Sequence, residues 1–280
     1  MVNKRSTLIL CASDLKRSPR TKENNLADKI FGDFELRNKV IQALRPGAIA
    51  FLQERAILRR LSQGQVLHRE GDKLTHAIFP HEGVISMMAE MQDGRSAEKV
   101  SVGNEGFVGI CCILGGGDNP STAVVQVEGY ASWISINDLD EAYAHYPCVG
   151  AAMLQYAKML TVQLMESVAC NTLHGAEQRV SRWFLSAHDR VNSESFQLTQ
   201  KAISEVLGLR RATVNSVSKA LMDRGAISYS RGTVTITDRK LLEATACECY
   251  GRIRKVFENG GTTGIVRTNI TGLKTPIICE

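Results

Sequence analysis

The 280-residue sequence predicts an α+β protein in which an antiparallel β-rich half precedes a helical half. Three observations predict it. Between Arg60 and Asn137 short β-like runs are separated by glycines, many roughly ten residues apart, as in an antiparallel sandwich or roll. From Cys148 to Leu173 apolar residues recur every three to four positions, the period of a long helix. From Leu198 to Asp238 two short amphipathic segments flank one glycine and lead into two alternating runs.

Taken in order, residues 1–38 are polar, carry "KRSPRTKENN" and show no sustained periodicity, so they read as a flexible extension. Their start imitates a secretion signal, with Lys4 and Arg5 before an apolar run that reaches Cys11. The run is too short for such a signal and Leu10 is not the small residue that cleavage needs. No later run approaches the ~18 apolar residues of a membrane span. The chain is expected to be soluble and cytoplasmic, with no membrane partner.

Residues 39–147 are expected to form the β domain. Two short helical patterns between Val40 and Arg60 break at Pro46-Gly47. The β-like runs follow: "QVLHREGD", "HAIFPHEG", "VISMMAEMQDGRSAEKVSVGNEG", "TAVVQVEG" and "YASWISIN", with Gly64, Gly83, Gly103 and Gly129 among the turn signals. Asp93-Gly94 is the best hairpin signal, because both residues tolerate the positive φ angles of a type I′ turn.

After a short helix that ends at Pro147, residues 148–173 make one long helix. Met153, Ala157, Leu160, Leu164 and Val168 form one apolar stripe; Val149, Ala152, Tyr156, Met159 and Gln163 form a second, largely apolar. A helix with two apolar sides needs two partners, here its own domain and a second subunit, the alternative being a helix buried within a monomer. The expected subunit contact consists of Val149, Ala152, Met153, Tyr156, Met159, Leu160 and Gln163.

Residues 174–257 are expected to form the last domain, before a frayed tail at 258–280. "GAEQRVSRWFLSAHDRV" is a helix with Val180, Phe184 and Leu185 inward. In "LTQKAISEVLGLRRATVNSVSKAL", the Thr199 hydroxyl can cap a helix whose inward residues are Ala202, Ile203, Val206 and Leu207. Gly208 ends it where a left-handed backbone is needed. A second helix from about Arg210 to Asp223 turns Val214, Val217 and Leu221 inward, which leaves Ser218 and its polar neighbours on other faces. "GAISYSRGTVTITD" then makes a hairpin around Arg231-Gly232, and Asp238 can cap a final helix through about Phe257.

Two helices, a tight glycine turn and a hairpin wing make a winged helix-turn-helix, a device for reading a DNA major groove. The expected DNA contacts are Thr199, Arg210, Arg211, Thr213, Asn215, Ser216 and Lys219, with Arg231 on the wing. Arginine at the start of the second helix can donate two hydrogen bonds to the O6 and N7 of guanine. Charge agrees: the chain carries +5 net, from 34 basic and 29 acidic residues. Within 198–225, Lys201, Arg210, Arg211, Lys219 and Arg224 outnumber Glu205 and Asp223.

The stretch from about Leu44 to Asp238 resembles the Crp/Fnr family of bacterial transcription regulators. It carries "LSQGQVLHREGD" opening a cyclic-nucleotide-binding-domain-like β-roll, then a long dimerisation helix, then "LTQKAISEVLGLRRATVNSVSKALMDRGAI" with a wing. The resemblance implies a homodimer on double-stranded DNA with a roughly palindromic operator, and makes RNA polymerase a further candidate partner. By family position Arg211 matches the arginine that contacts guanine and Thr213 a phosphate contact. Ala212 and Ser216 stand where cyclic-AMP receptor proteins have a base-reading glutamate and a second arginine, so the operator should differ from theirs.

The same resemblance places a ligand pocket at Gly106, Phe107, Val108, Gly109, Ser121 and Thr122. Val108 occupies the position of the carboxylate that holds the ribose, and Pro120 or its neighbour that of the arginine that holds the cyclic phosphate. Burying a phosphate without a fixed cation is costly, so cyclic AMP is disfavoured as the ligand.

The eight cysteines (11, 111, 112, 148, 170, 247, 249, 279) show no paired CxxC spacing, which suits a reducing compartment. Only Cys11 lies in the first hundred residues, which disfavours the N-terminal iron-sulfur cluster of the family's oxygen-sensing branch. On one continuous helix Cys247 and Cys249 would project about 200° apart, so no metal site is expected. The six histidines also lack tight ligand spacing. Neither GxSxG, a P-loop nor HExxH occurs, and "GGGDN" at 115–119 is too short for a dinucleotide loop, so no enzyme is expected. The competing reading is a ligand-binding or protein-interaction module that does not read DNA.

Overall fold

The computed structural model describes residues 35–260; the expected extension before Glu35, the tail after Gly260, and Cys11 and Cys279 lie outside them. The extension ends earlier than residue 38. Asn38 is fully buried: its amide donates to the carbonyls of Pro80 (2.8 Å) and Gly106 (2.7 Å). Its Oδ1 accepts from Val40 and Ile41, which caps α1 (Lys39–Gln42). Pro46 opens α2 (Pro46–Arg55), where its missing N–H costs nothing.

Five antiparallel strands follow: β1 (Ile57–Leu61), β2 (Val66–His68), β3 (His76–Glu90), β4 (Ser96–Val102) and β5 (Thr122–Ser135), in the order β1-β5-β3-β4 with β2 also paired to β5. β3 and β5 pair over most of their length, from His76 opposite Ser135 to Met88 opposite Thr122. Gly83 and Gly129, expected as turns, lie inside these strands. A Cβ at Gly83 would stand 2.7 Å from the Val127 carbonyl oxygen, and one at Gly129 would collide with the carbonyl of Glu82. Gly83 has φ +95, and the register shifts beside it. Both glycines therefore mark a bulge where two backbones approach closely. The Asp93-Gly94 hairpin forms, but not as type I′: only Gly94 has positive φ (+81), and the Met91 N–H reaches the Arg95 carbonyl at 2.8 Å. That is the three-residue loop with a left-handed glycine.

Next come α3 (Ile136–His145) and α4 (Pro147–Leu173). One core joins Phe79, Ile85, Phe107, Val125 and Ile134 of the roll to Val149, Met153 and Tyr156 of α4. The Phe107 ring lies 4.9 Å from that of Phe79 and 5.1 Å from that of Tyr156.

The C-terminal part contains α5 (Ala176–His188), β6 (Ser195–Gln197), α6 (Gln200–Leu207), α7 (Arg211–Asp223), β7 (Ile227–Ser230), β8 (Thr233–Ile236), α8 (Arg239–Thr245) and α9 (Cys249–Gly260). The wing gains a third strand that the sequence reading missed, since β6 pairs with β8 in the order β6-β8-β7. The expected final helix is two: Asp238 caps α8 as predicted, and the backbone turns extended at Ala246 before α9 begins.

A second core packs Val180, Phe184, Ile203, Val214 and Leu221 together with Val84, Met88 and Val127 of the roll. β3 is thus buried on both faces. At the same junction Arg190, just after α5, grips Glu105, just after β4. Nη2 and Nε donate to the carboxylate at 2.6 and 3.1 Å, Nη1 donates to Ser101 Oγ at 2.7 Å, and both side chains are 7% exposed. Trp183 donates its indole N–H to Glu98, whose carboxyl burial pushes above the usual range.

His81 is 1% exposed. Its Nδ1 accepts from the Asn38 N–H at 3.2 Å, its Nε2 meets Ser132 Oγ at 2.8 Å, and burial lowers its pKa to about 4. The folded value lies below the ordinary ~6.5, so acid favours the unfolded chain. Stability from the neutral ring is complete above about pH 6.5 and is lost as pH falls towards 4, by about 2 kcal/mol at pH 5. Urea unfolding at pH 7 and pH 5 should show this loss shrinking in His81→Gln; equal losses in both proteins would refute it.

Candidate nucleic-acid interface

α6, the turn at 208–210 and α7 form the predicted helix pair. Thr199 Oγ1 accepts from the Ala202 N–H at 3.1 Å, and Gly208 takes the left-handed conformation at φ +61, in agreement with its place at the turn. Ile203, Val206 and Leu207 of α6 and Val214 and Leu221 of α7 are buried. Burial of one stripe sets what the other displays. On α7 the inner row is Val214, Ser218 and Leu221, so Ser218, expected on another face, is fully buried. Arg211, Asn215 and Lys219 make an exposed row four residues apart, with Ser216 exposed beside it and Thr213 half-buried.

Arg210 is the N-cap of α7 and makes no side-chain cap bond. The Ser216 hydroxyl donates to the Ala212 carbonyl at 3.0 Å, which leaves its lone pairs facing out. Arg231 is exposed at the wing tip with φ +48, next to Gly232 at φ +80; these two positive angles form a type I′ turn. Among the described residues no carboxylate forms an ion pair with Arg210, Arg211, Lys219 or Arg231, whereas Lys201 pairs with Glu205 at 3.5 Å and Arg224 pairs with Glu177. The four unpaired cations keep their charge for a partner.

The expected subunit contact needs correction. Val149, Met153, Tyr156, Leu160 and Gln163 are buried in the chain's own core, and Ala152 and Met159 pack half-buried against it. Gln163 also donates to the Ser101 carbonyl at 3.1 Å. Hydropathy finds both apolar stripes of α4 but not which one its own roll covers. The uncovered side carries Leu154 (52% exposed), Leu164 (38%) and Val168 (69%). Leu154, Thr161 and Val168 repeat every seven residues, with Ala157 and Leu164 between them, as in a coiled-coil seam.

Two family models match: the cyclic nucleotide-binding domain over residues 58–146 and the Crp-like helix-turn-helix domain over 178–245. Together they span more than half the chain. The chain belongs to the Crp/Fnr family of transcription regulators. No curated protein matches it. Among solved structures it is similar to FixK2 from Bradyrhizobium japonicum, at 13% identity over 69% of this chain and 98% of that one, with a TM-score of 0.57. It is also similar to the CRP-family regulator TTHB099 of Thermus thermophilus (18%, 67% and 96%, 0.56). The c-di-GMP-responsive regulator CLP of Xanthomonas campestris is comparable (16%, 69% and 100%, 0.55). At these identities the structures establish the fold. As a Crp/Fnr member the chain is a DNA-binding regulator, and among the described residues no helix is long and apolar enough to cross a membrane.

In this Crp/Fnr roll the six residues assigned to a ligand are all buried. Val108 bridges its backbone to Ile78 at 2.8 and 3.0 Å and belongs to the apolar core with Phe107. A side chain at Gly106 would collide with the Tyr156 ring, and Gly109 has φ +106. Thr122 Oγ1 accepts from the Glu70 N–H at 3.2 Å. One cation does reach this stretch: Lys99 donates to the Pro120 carbonyl at 2.6 Å and pairs with Glu70 at 3.7 Å.

One reason for expecting no metal site, that Cys247 and Cys249 share one continuous helix, does not hold. The break between α8 and α9 frees Cys247 and Cys249 from a common helix, and both meet Cys170 and His174 at the end of α4. Cys170 and His174 lie one helical turn apart, a spacing the sequence displays, but only the fold shows its partners.

Proposed function

We propose that this Crp/Fnr regulator acts in the cytoplasm as a homodimer on a roughly palindromic operator. Each subunit inserts α7 into a major groove and lays its wing beside the backbone. The observation that carries this reading is the exposed, ion-pair-free row of Arg211, Asn215 and Lys219 on α7, with Arg231 on the wing. Arg211 reads a guanine, Thr213 and Thr199 hold phosphates, and Ala212 and Ser216 leave the neighbouring base pairs to be read by contacts other than a glutamate and a second arginine. The outward seam of α4 supplies the two-fold contact and spaces the two α7 helices about one DNA turn apart. RNA polymerase is the partner such a bound dimer would meet at a promoter.

The roll is read as a sensor for something other than cyclic AMP, because Val108, to which the resemblance assigns the place of the ribose carboxylate, is apolar and packed in the core. Selection from a random DNA pool at a stated salt concentration, with and without cyclic AMP, tests both parts. A palindrome enriched equally in both arms supports the reading. Enrichment only with nucleotide would refute the pocket assignment, and no motif in either arm would refute operator reading without a signal. On the selected operator, Arg211→Ala is expected to cost about 1–3 kcal/mol while non-specific affinity changes less. Equal losses on both DNAs would make Arg211 a phosphate contact.

A further inference from the structure

Where α4 ends, three thiols and one imidazole converge. Cys170 Sγ lies 3.5 Å from Cys247 Sγ, Cys249 Sγ lies 3.7 Å from His174 Nδ1, and all four donor atoms lie within 4.8 Å of one another. A tetrahedral zinc ion with Zn–S near 2.3 Å and Zn–N near 2.0 Å has S···S edges of about 3.8 Å and S···N edges of about 3.5 Å. These two separations lie within about 0.3 Å of those edges, and the others need to close by at most about 1.3 Å. The three cysteines are 0%, 3% and 1% exposed and His174 is half-buried, as suits a closed structural site.

Two features outside the four ligands point the same way. His174 turns its other nitrogen, Nε2, to the Glu248 carboxylate at 3.2 Å, which orients Nδ1 towards the sulfurs. Three thiolates and one divalent cation leave one negative charge, and Arg179 and Arg182 stand ready for it. Each has a buried Nε with no hydrogen-bond partner among the described residues, and the charge of Arg182 acts on Cys170. A disulfide between Cys170 and Cys247 would use neither Cys249 nor His174.

We infer that Cys170, His174, Cys247 and Cys249 form a tetrahedral Cys3His site for zinc that clamps the start of α9 to the end of α4. Binding is not a redox step: each coordinating thiol gives its proton to solvent, the neutral imidazole donates through Nδ1, and four bonds to the cation form. The clamp ties the helix that carries the subunit seam to the last helix of the DNA-binding domain, alongside the Arg252 to Glu166 ion pair at 3.6 Å.

The test uses the full chain purified under reducing conditions without chelator. Metal content should be one zinc per chain. Cobalt(II) added to the stripped protein should give thiolate charge-transfer bands and the intense ligand-field bands of a tetrahedral ion. Cys247→Ser should lower bound zinc at least tenfold, whereas Cys111→Ser should leave it unchanged. Should Cys247→Ser fail to fold, Glu248→Gln, which keeps all four ligands, should weaken zinc binding about 10-fold. The inference is overturned by any of four results: metal-free protein that cobalt leaves colourless, zinc retained in folded Cys247→Ser, iron with acid-labile sulfide in place of zinc, or a Cys170–Cys247 disulfide in the protein as purified.

Discussion

Arg190→Ala is expected to destabilise the protein by about 3–5 kcal/mol, enough to unfold much of a marginally stable chain. The substitution removes the cation that faces Glu105 at 2.6 Å and leaves a carboxylate that is 7% exposed without its partner. It also strips the donor from Ser101 Oγ. Most of the loss is the cost of a buried, unpaired charge, which gives the prediction a second part. Replacing both partners with apolar residues of similar size, Arg190→Met with Glu105→Leu, should cost far less than Arg190→Ala alone. Urea unfolding of the three proteins at pH 7 measures this. A loss below about 1 kcal/mol for Arg190→Ala would show that the pair contributes little.

The second large effect is expected on DNA affinity. Val168 is 69% exposed at the C-terminal end of the outward seam, so Val168→Glu should leave the stability of the single chain within about 0.5 kcal/mol. Across a two-fold seam, however, two copies of the new carboxylate face each other. The dimer is expected to dissociate, and affinity for a palindromic site to fall by about 10²-fold or more, because the second half-site is no longer held at high effective concentration. Light scattering and operator titration read the two effects separately. A variant that stays dimeric would place the subunit contact elsewhere.

What the sequence disclosed was local. The Thr199 cap, the left-handed Gly208 and the Arg231-Gly232 turn each depend on two or three neighbouring residues, and all three appear where the residue types place them. Gly83 and Gly129 also announced something, but their need for glycine comes from a strand about 46 residues away, so they looked like turns. The exposed side of α7, Ser218 apart, could be read because its inner stripe is short and its outer residues are polar. On α4 both sides are apolar, and only the packed roll reveals that Tyr156 is inside and Val168 outside. Glu105 with Arg190, and Cys170 with Cys247, are 85 and 77 residues apart and carry no mark of their partnership in the chain.

Val84, Met88 and Val127 belong to the strands of the β-roll, yet they complete the core beneath α6 and α7. The roll and the helix-turn-helix part are therefore not interchangeable. A chimera that grafts residues 176–260 onto a different roll must also bring three apolar side chains and an acidic partner for Arg190, or α6 and α7 lose their floor. Within this architecture the outer row of α7 can change without disturbing the core, but any replacement roll must keep one face of its sheet fitted to the helices above it.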